Sequence, residues 1–92
     1  MHSESHQMKV RIPVMLATMG EDQLSTEAQA QRMMAGLEQY DRVLLDFRGV
    51  AEIGPHFADH VFRRFTASHP GVHIDYANTT PNVETVIQAS MR

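Results

Sequence analysis

From Met8 onward the apolar residues Met8, Val10, Ile12 and Val14 alternate with Lys9, Arg11 and Pro13. A period of two predicts a half-buried strand, and a proline within it, which cannot donate to a ladder, places that strand at an edge or ends its pairing early. Positions 17–23, with Gly20, Glu21 and Asp22, read as a loop, and Leu24 as a last pairing or packing residue before a helix. Thr26 and Gln29 have capping-box spacing, with Ser25 as the alternative cap. Ala30, Met33, Met34 and Leu37 then recur at i, i+3, i+4 and i+7, one apolar stripe of a helix. Over 42–47 the unbroken run Val43, Leu44, Leu45 predicts a central strand covered on both faces. Pro55 suits a first helical turn, and Phe57, Ala58, Val61, Phe62 and Phe65 make the stripe of a second helix ending near Ser68, ahead of Pro70-Gly71. Val72, Ile74 and Tyr76 alternate with His73 and Asp75 as a third strand. Thr79, Thr80 and Pro81 then open a last helix carrying Val83, Val86, Ile87 and Met91. The order β, α, β, α, β, α predicts a small α/β layer whose second and third strands are parallel, with a right-handed crossover.

Composition narrows this picture. Ninety-two residues, 42% of them hydrophobic and 21% charged, are expected to fold as one domain over 8–92, behind a flexible polar tail, 1–7, that carries His2 and His6. No apolar stretch approaches the roughly 20 residues of a membrane span, and no secretory signal pattern opens the chain, so the expected address is cytoplasmic. The absence of cysteine removes disulfides, thiolate nucleophiles and Cys-based metal centres. A net charge of −3, with the eight basic residues scattered and Lys9 the single lysine, argues against nucleic-acid binding.

The most distinctive chemistry lies in the segment from Asp46 to His60. It runs from the carboxyl end of the central strand to the start of the second helix, where open parallel sheets form their binding crevices. Asp46, Gly49, Gly54 and Pro55 have the character of loop-shaping residues, Asp46 by accepting backbone hydrogen bonds and the glycines by permitting tight turns. The free N–H groups of the helix start suit a phosphate or carboxylate. His56, Asp59 and His60 fall at i, i+3 and i+4, and His-x-x-x-His spacing can hold a divalent metal. The glutamate of a zincin motif is missing, however, and no third ligand stands at a fixed spacing, so a solvated face in which Asp59 pairs with Arg63 is the simpler reading. None of the five serines has a nucleophile-elbow setting, and no phosphate-cradling glycine loop occurs. The expectation is a protein without catalytic residues, without a cofactor and without enzyme activity.

The stretch VLLDFRGVAEIGPHFADHVF resembles the STAS-like family of bacterial domains of unknown function, relatives of the anti-sigma factor antagonists. The carrying features are a hydrophobic strand ending in Asp46, then Phe47, a basic residue, Gly49-Val50, Ile53 and Phe57-Ala58-Asp59, within a similarity running from about Leu24 to Ala89. The resemblance implies a mixed, mostly parallel sheet of about four strands, with about three helices mainly on one face. It also implies a loop and helix surface that grips a protein partner of the GHKL-type ATPase, sensor kinase or anti-sigma factor class. In the antagonists that loop carries a phosphorylated serine. Here Pro55 and His56 occupy the two serine-pair positions, so no hydroxyl is present to be phosphorylated. The residues expected to bind the partner are Arg48, Glu52, His56, Asp59, His60 and Arg63. The two histidines would make that binding sensitive to pH near 6–7. The alternatives are a protein that binds a small ligand, anion or metal at the start of the second helix, and a homodimer paired through the free edge of the first strand.

Overall fold

A computed structural model describes residues 8–21 and 23–92, so the tail expected over 1–7 lies outside the described residues. Three strands form one sheet in the order β1 (Lys9–Pro13), β2 (Arg42–Asp46), β3 (His73–Ala77), and both pairs are parallel. The expectation of about four strands in a mixed sheet is thereby corrected to three parallel ones among the described residues. The chain has three runs with strand periodicity, and each became a strand. β2 is central and β1 is an edge that stops at Pro13, where the missing N–H ends the ladder.

After Pro13 the chain turns at once into a single helical turn, α1 (Val14–Ala17). Val14 therefore continues the alternation in sequence but not in the strand, and the loop expected over 17–23 begins one residue later, at Thr18. Helix α2 (Glu27–Met34) starts with the expected capping box: Thr26 Oγ1 accepts from Gln29 N–H at 3.1 Å, and Gln29 Oε1 accepts from Thr26 N–H at 2.9 Å. It stops short of Leu37 because the chain breaks at Ala35-Gly36, where Gly36 has φ +84, and Leu37 reaches the core from a 3₁₀ turn instead. Pro55–Asp59, His60–Arg64 and Phe65–Ser68 run on without a break as one helix, α3. Its middle stretch is π-helical, with Phe65 N–H bonded to His60 O five residues back. Helix α4 (Pro81–Ser90) has Thr80 as its cap and Pro81 in its first turn.

Register explains where the core sits. Val10, Val43 and Ile74 stand side by side, as do Ile12, Leu45 and Tyr76, and these two apolar rows face the buried residues of the helices. α3 lies between α2 and α4 and touches both. Phe47 and Phe57 are wholly buried, and Phe62 lies between Phe47 (6.5 Å between ring centroids) and the edge of Tyr76 (5.7 Å). The opposite face of the sheet carries Lys9, Arg42 and His73 in one row and Arg11, Leu44 and Asp75 in the next. Leu44 is thus only half-buried, and β2 is covered on one face, not on both as its unbroken apolar run suggests. At the far side, Tyr76 donates its hydroxyl to Glu84 at 2.7 Å and Thr79 Oγ1 donates to the other Glu84 oxygen at 3.0 Å, fastening β3 to α4. Among the described residues no helix is long and apolar enough to cross a membrane.

Candidate functional site

The carboxyl end of the sheet is organised around one buried carboxylate. Asp46 ends β2, and its Oδ1 accepts from Arg48 N–H at 3.0 Å and from the Asn78 amide at 2.9 Å, while its Oδ2 accepts from the Arg11 guanidinium. It therefore joins β1, the β2–α3 loop and the turn after β3. The Asn78 amide and the Arg48 N–H, with Arg11 beside them, hold the carboxyl down to about 2 against the upward push of burial. Asp46 is consequently ionised across the physiological range and acts as an acceptor only.

The loop that follows is pinned along its length. Val50 N–H closes a turn on Phe47 O at 2.9 Å, with Gly49 at φ +85 in its third position. Thr80 Oγ1 donates to Ala51 O at 2.8 Å. Ile53 forms a parallel bridge with Leu24, and Gly54 N–H donates to Leu24 O at 2.8 Å. At Gly54 a Cβ would crowd the neighbouring segment, standing 3.1 Å from Ser25 Cα, so a side chain there would require Ser25 to shift by a few tenths of an ångström. Gly49 is required for a different reason: its left-handed backbone disfavours any L side chain, whereas the Met15 methyl in front of it can swing away. Gly49→Ala is therefore expected to cost about 1–2 kcal/mol in urea unfolding, chiefly as backbone strain.

The six residues expected at a partner surface divide into two groups. Arg48, Glu52 and His56 stand exposed on the loop and the first turn of α3. Asp59, His60 and Arg63 lie further along α3, where Arg63 Nη1 meets Asp59 Oδ1 at 3.4 Å. Asp59 also faces Arg64 Nε at 3.5 Å. On α2, Glu27 Oε2 takes Arg64 Nη1 at 3.0 Å and lies 3.6 Å from His60 Nδ1, a nitrogen buried with no hydrogen-bond partner. Asp59 and His60 thus belong, with Arg64 and Glu27, to an α2–α3 clasp at the π-helical stretch, a kind of helix irregularity that concentrates at functional sites, while Arg63, among the described residues, pairs only along α3. His60 is turned toward Glu27 and His56 stands exposed, and among the described residues no group of three His, Cys, Asp or Glu side chains comes together to hold a metal ion.

Glu27, Arg64, Arg11 and Asn78 were not among the expected residues. Arg11 could have been found, since it shares the outer face of β1 with Pro13, the register partner of Asp46. The pairing of Glu27 with Arg64 depends on how two helices pack and has no local signature in the chain.

No curated protein and no solved structure gives a significant match to this sequence. A family model does, over residues 29–84, a span that takes in most of α2, the Asp46 loop, the whole of α3 and the start of α4. With its Asp46 hub and the strand–loop–helix segment inside that match, the chain belongs to the family of STAS-like domains of unknown function.

Proposed function

We propose that this protein is a non-enzymatic interaction module in bacterial regulation, gripping a protein partner with the β2–α3 loop and the start of α3. The observation that carries the reading is the division of labour in that loop. Its backbone is held by Asp46, Thr80 and Leu24, while the side chains of Arg48, Glu52 and His56 stand exposed. A pre-ordered loop loses little entropy on binding, so its exposed side chains can contribute fully to recognition. With Pro55 and His56 at the start of α3, recognition there proceeds without a serine phosphorylation switch. The family resemblance implies a GHKL-type ATPase, a sensor kinase or an anti-sigma factor as the partner.

The test is capture of binding proteins by the immobilised chain, followed by titration of the purified partner. Arg48→Glu combined with His56→Ala is expected to weaken binding roughly tenfold or more, by removing one charge contact and introducing repulsion. Arg63→Ala, which opens only an exposed ion pair with Asp59, should change it less than threefold. Equal binding by the wild type and the Arg48/His56 double variant would refute the assignment of the site.

A further inference from the structure

Five large apolar side chains stand exposed among the described residues, and three of them crowd into the five positions after Val14: Met15 (43% exposed), Leu16 (75%) and Met19 (91%). They do not belong to a loose end. Val14 beneath them is wholly buried, Thr18 Oγ1 donates to Val14 O at 2.8 Å, and Gly20 N–H closes the turn on Met15 O at 2.8 Å. The chain therefore holds a firm one-turn platform at the carboxyl end of the sheet and sets apolar side chains on its outer side. Solvent-facing apolar clusters on small folded proteins mark contact surfaces, and methionine adapts to irregular partner shapes.

The platform is continuous with the β2–α3 loop. The Met15 methyl lies 2.6 Å from the point where a Cβ on Gly49 would stand, so its side chain rests against the turn that carries Arg48. On the other side Met19 borders a hollow shared with Arg32 and Glu21, and Glu21 accepts from the Gln29 amide. Among the described residues Arg48 and Arg32 thus flank the apolar cluster, and the Glu21 carboxylate beside it already holds a hydrogen bond.

We propose that Met15, Leu16 and Met19 are the apolar anchors of the partner surface, and that they seat in an apolar cleft rimmed by carboxylates on another protein. This extends the reading of the β2–α3 loop as a binding surface and rests on it. It moves the main contacts from the charged loop residues to the neighbouring turn. A second copy of this chain would set the same arginines against one another, so it is not the occupant. The three apolar side chains suit a small set of anchors that dominates recognition while charges at the rim steer it.

The experiment places a photoreactive benzophenone amino acid at position 16 or 19, and at position 56 as reference, in the full chain within its own cell. Irradiation is followed by identification of the joined peptides. The expected result is that positions 16, 19 and 56 all join the same partner protein, with the 16 and 19 adducts on peptides bearing apolar residues beside Asp or Glu. Introducing Leu16→Glu is expected to cut the yield from position 19 at least fivefold, with an unchanged melting curve because Leu16 is largely exposed; Met19→Glu should do the same to position 16. Adducts from position 56 alone would leave the loop reading standing and overturn the anchors. Adducts of 16 and 19 with a second copy of the chain, or with a basic or wholly polar surface, would also overturn them. The absence of adducts from all three positions would overturn both readings.

Discussion

Phe57→Ala is expected to lower the unfolding free energy by about 3–5 kcal/mol, the cost of leaving a cavity where a wholly buried ring stood. Phe57 sits in the first turn of α3 with Ala58 and Val61 as its buried neighbours along the helix. The site could collapse only if α3 moved toward the sheet, and α3 is held from both sides by α2 and α4. Domains of ordinary stability have about 5–15 kcal/mol in total, and a chain of this length stands near the lower end. A large share of the variant should therefore be unfolded at 37 °C. The measurement is urea unfolding followed by circular dichroism, compared with wild type at one pH and temperature. A loss below about 1 kcal/mol would show that α3 does not pack through Phe57. Because Phe57 follows Pro55 and His56 directly, the folded fraction should also bind a partner more weakly, through a displaced helix start and without any change in the contacting residues.

Legibility of the fold in the sequence tracked how local each determinant is. The capping box at Thr26 and Gln29, the proline-limited edge strand and the parallel pairing of the second and third strands depend on neighbouring residues or on a connection of ordinary length, and each was readable. The fourth strand came from the family resemblance, not from any periodic run of this chain. Val14 misled because its place in the alternation is genuine while the backbone beyond Pro13 no longer has a ladder to join. The π-helical stretch left no trace, since Phe57, Ala58, Val61, Phe62 and Phe65 make an acceptable stripe for a regular helix. Leu44 misled in the other direction: an apolar run suggested two covered faces, but the residues beside it in register, Arg11 and Asp75, leave its face open.

The site was legible in the same uneven way. Asp46 was identifiable as a loop organiser because its bond to Arg48 N–H spans two residues, whereas its bonds to Arg11 and Asn78 span 35 and 32. Once the register places Pro13, Asp46 and Ala77 side by side, both distant partners follow: Arg11 lies two residues before Pro13 on the same face, and Asn78 directly follows Ala77. The register itself is set by packing of the two apolar rows, a property of the assembled sheet. Glu27 and Arg64 are still less visible, being joined only because α2 and α3 pack side by side.

That long-range hub gives the second large effect, a loss of stability in acid that depends on Asp46. Its carboxyl titrates near 2 in the folded protein and near 3.9 in an unfolded chain, so the folded state favours the ionised form. A depressed folded pKa contributes stability that is fully present above the unfolded value and disappears as pH falls through the folded one. Wild-type stability should therefore hold level from neutral pH down to about 5 and then decline toward pH 2. Glu84, held low by the Tyr76 hydroxyl, Gln88 and Thr79, contributes a decline of the same sign, so the two carboxylates have to be separated. Asp46→Asn keeps an oxygen for Arg48 N–H but removes the charge that Arg11 and the Asn78 amide address. It should lower stability at pH 7 and flatten the acid limb to the share due to Glu84, and adding Glu84→Gln should flatten it further. Asp46→Ala leaves all three donors without an acceptor and should be the least stable at pH 7, since a buried donor without a partner costs more than a weakened bond. Urea unfolding of the four proteins at pH 7, 4 and 2.5 would resolve these outcomes. An acid limb in Asp46→Asn as steep as in wild type would mean that the carboxylate is not the ionised hub of the loop, and that Arg48 is held in place by something other than Asp46.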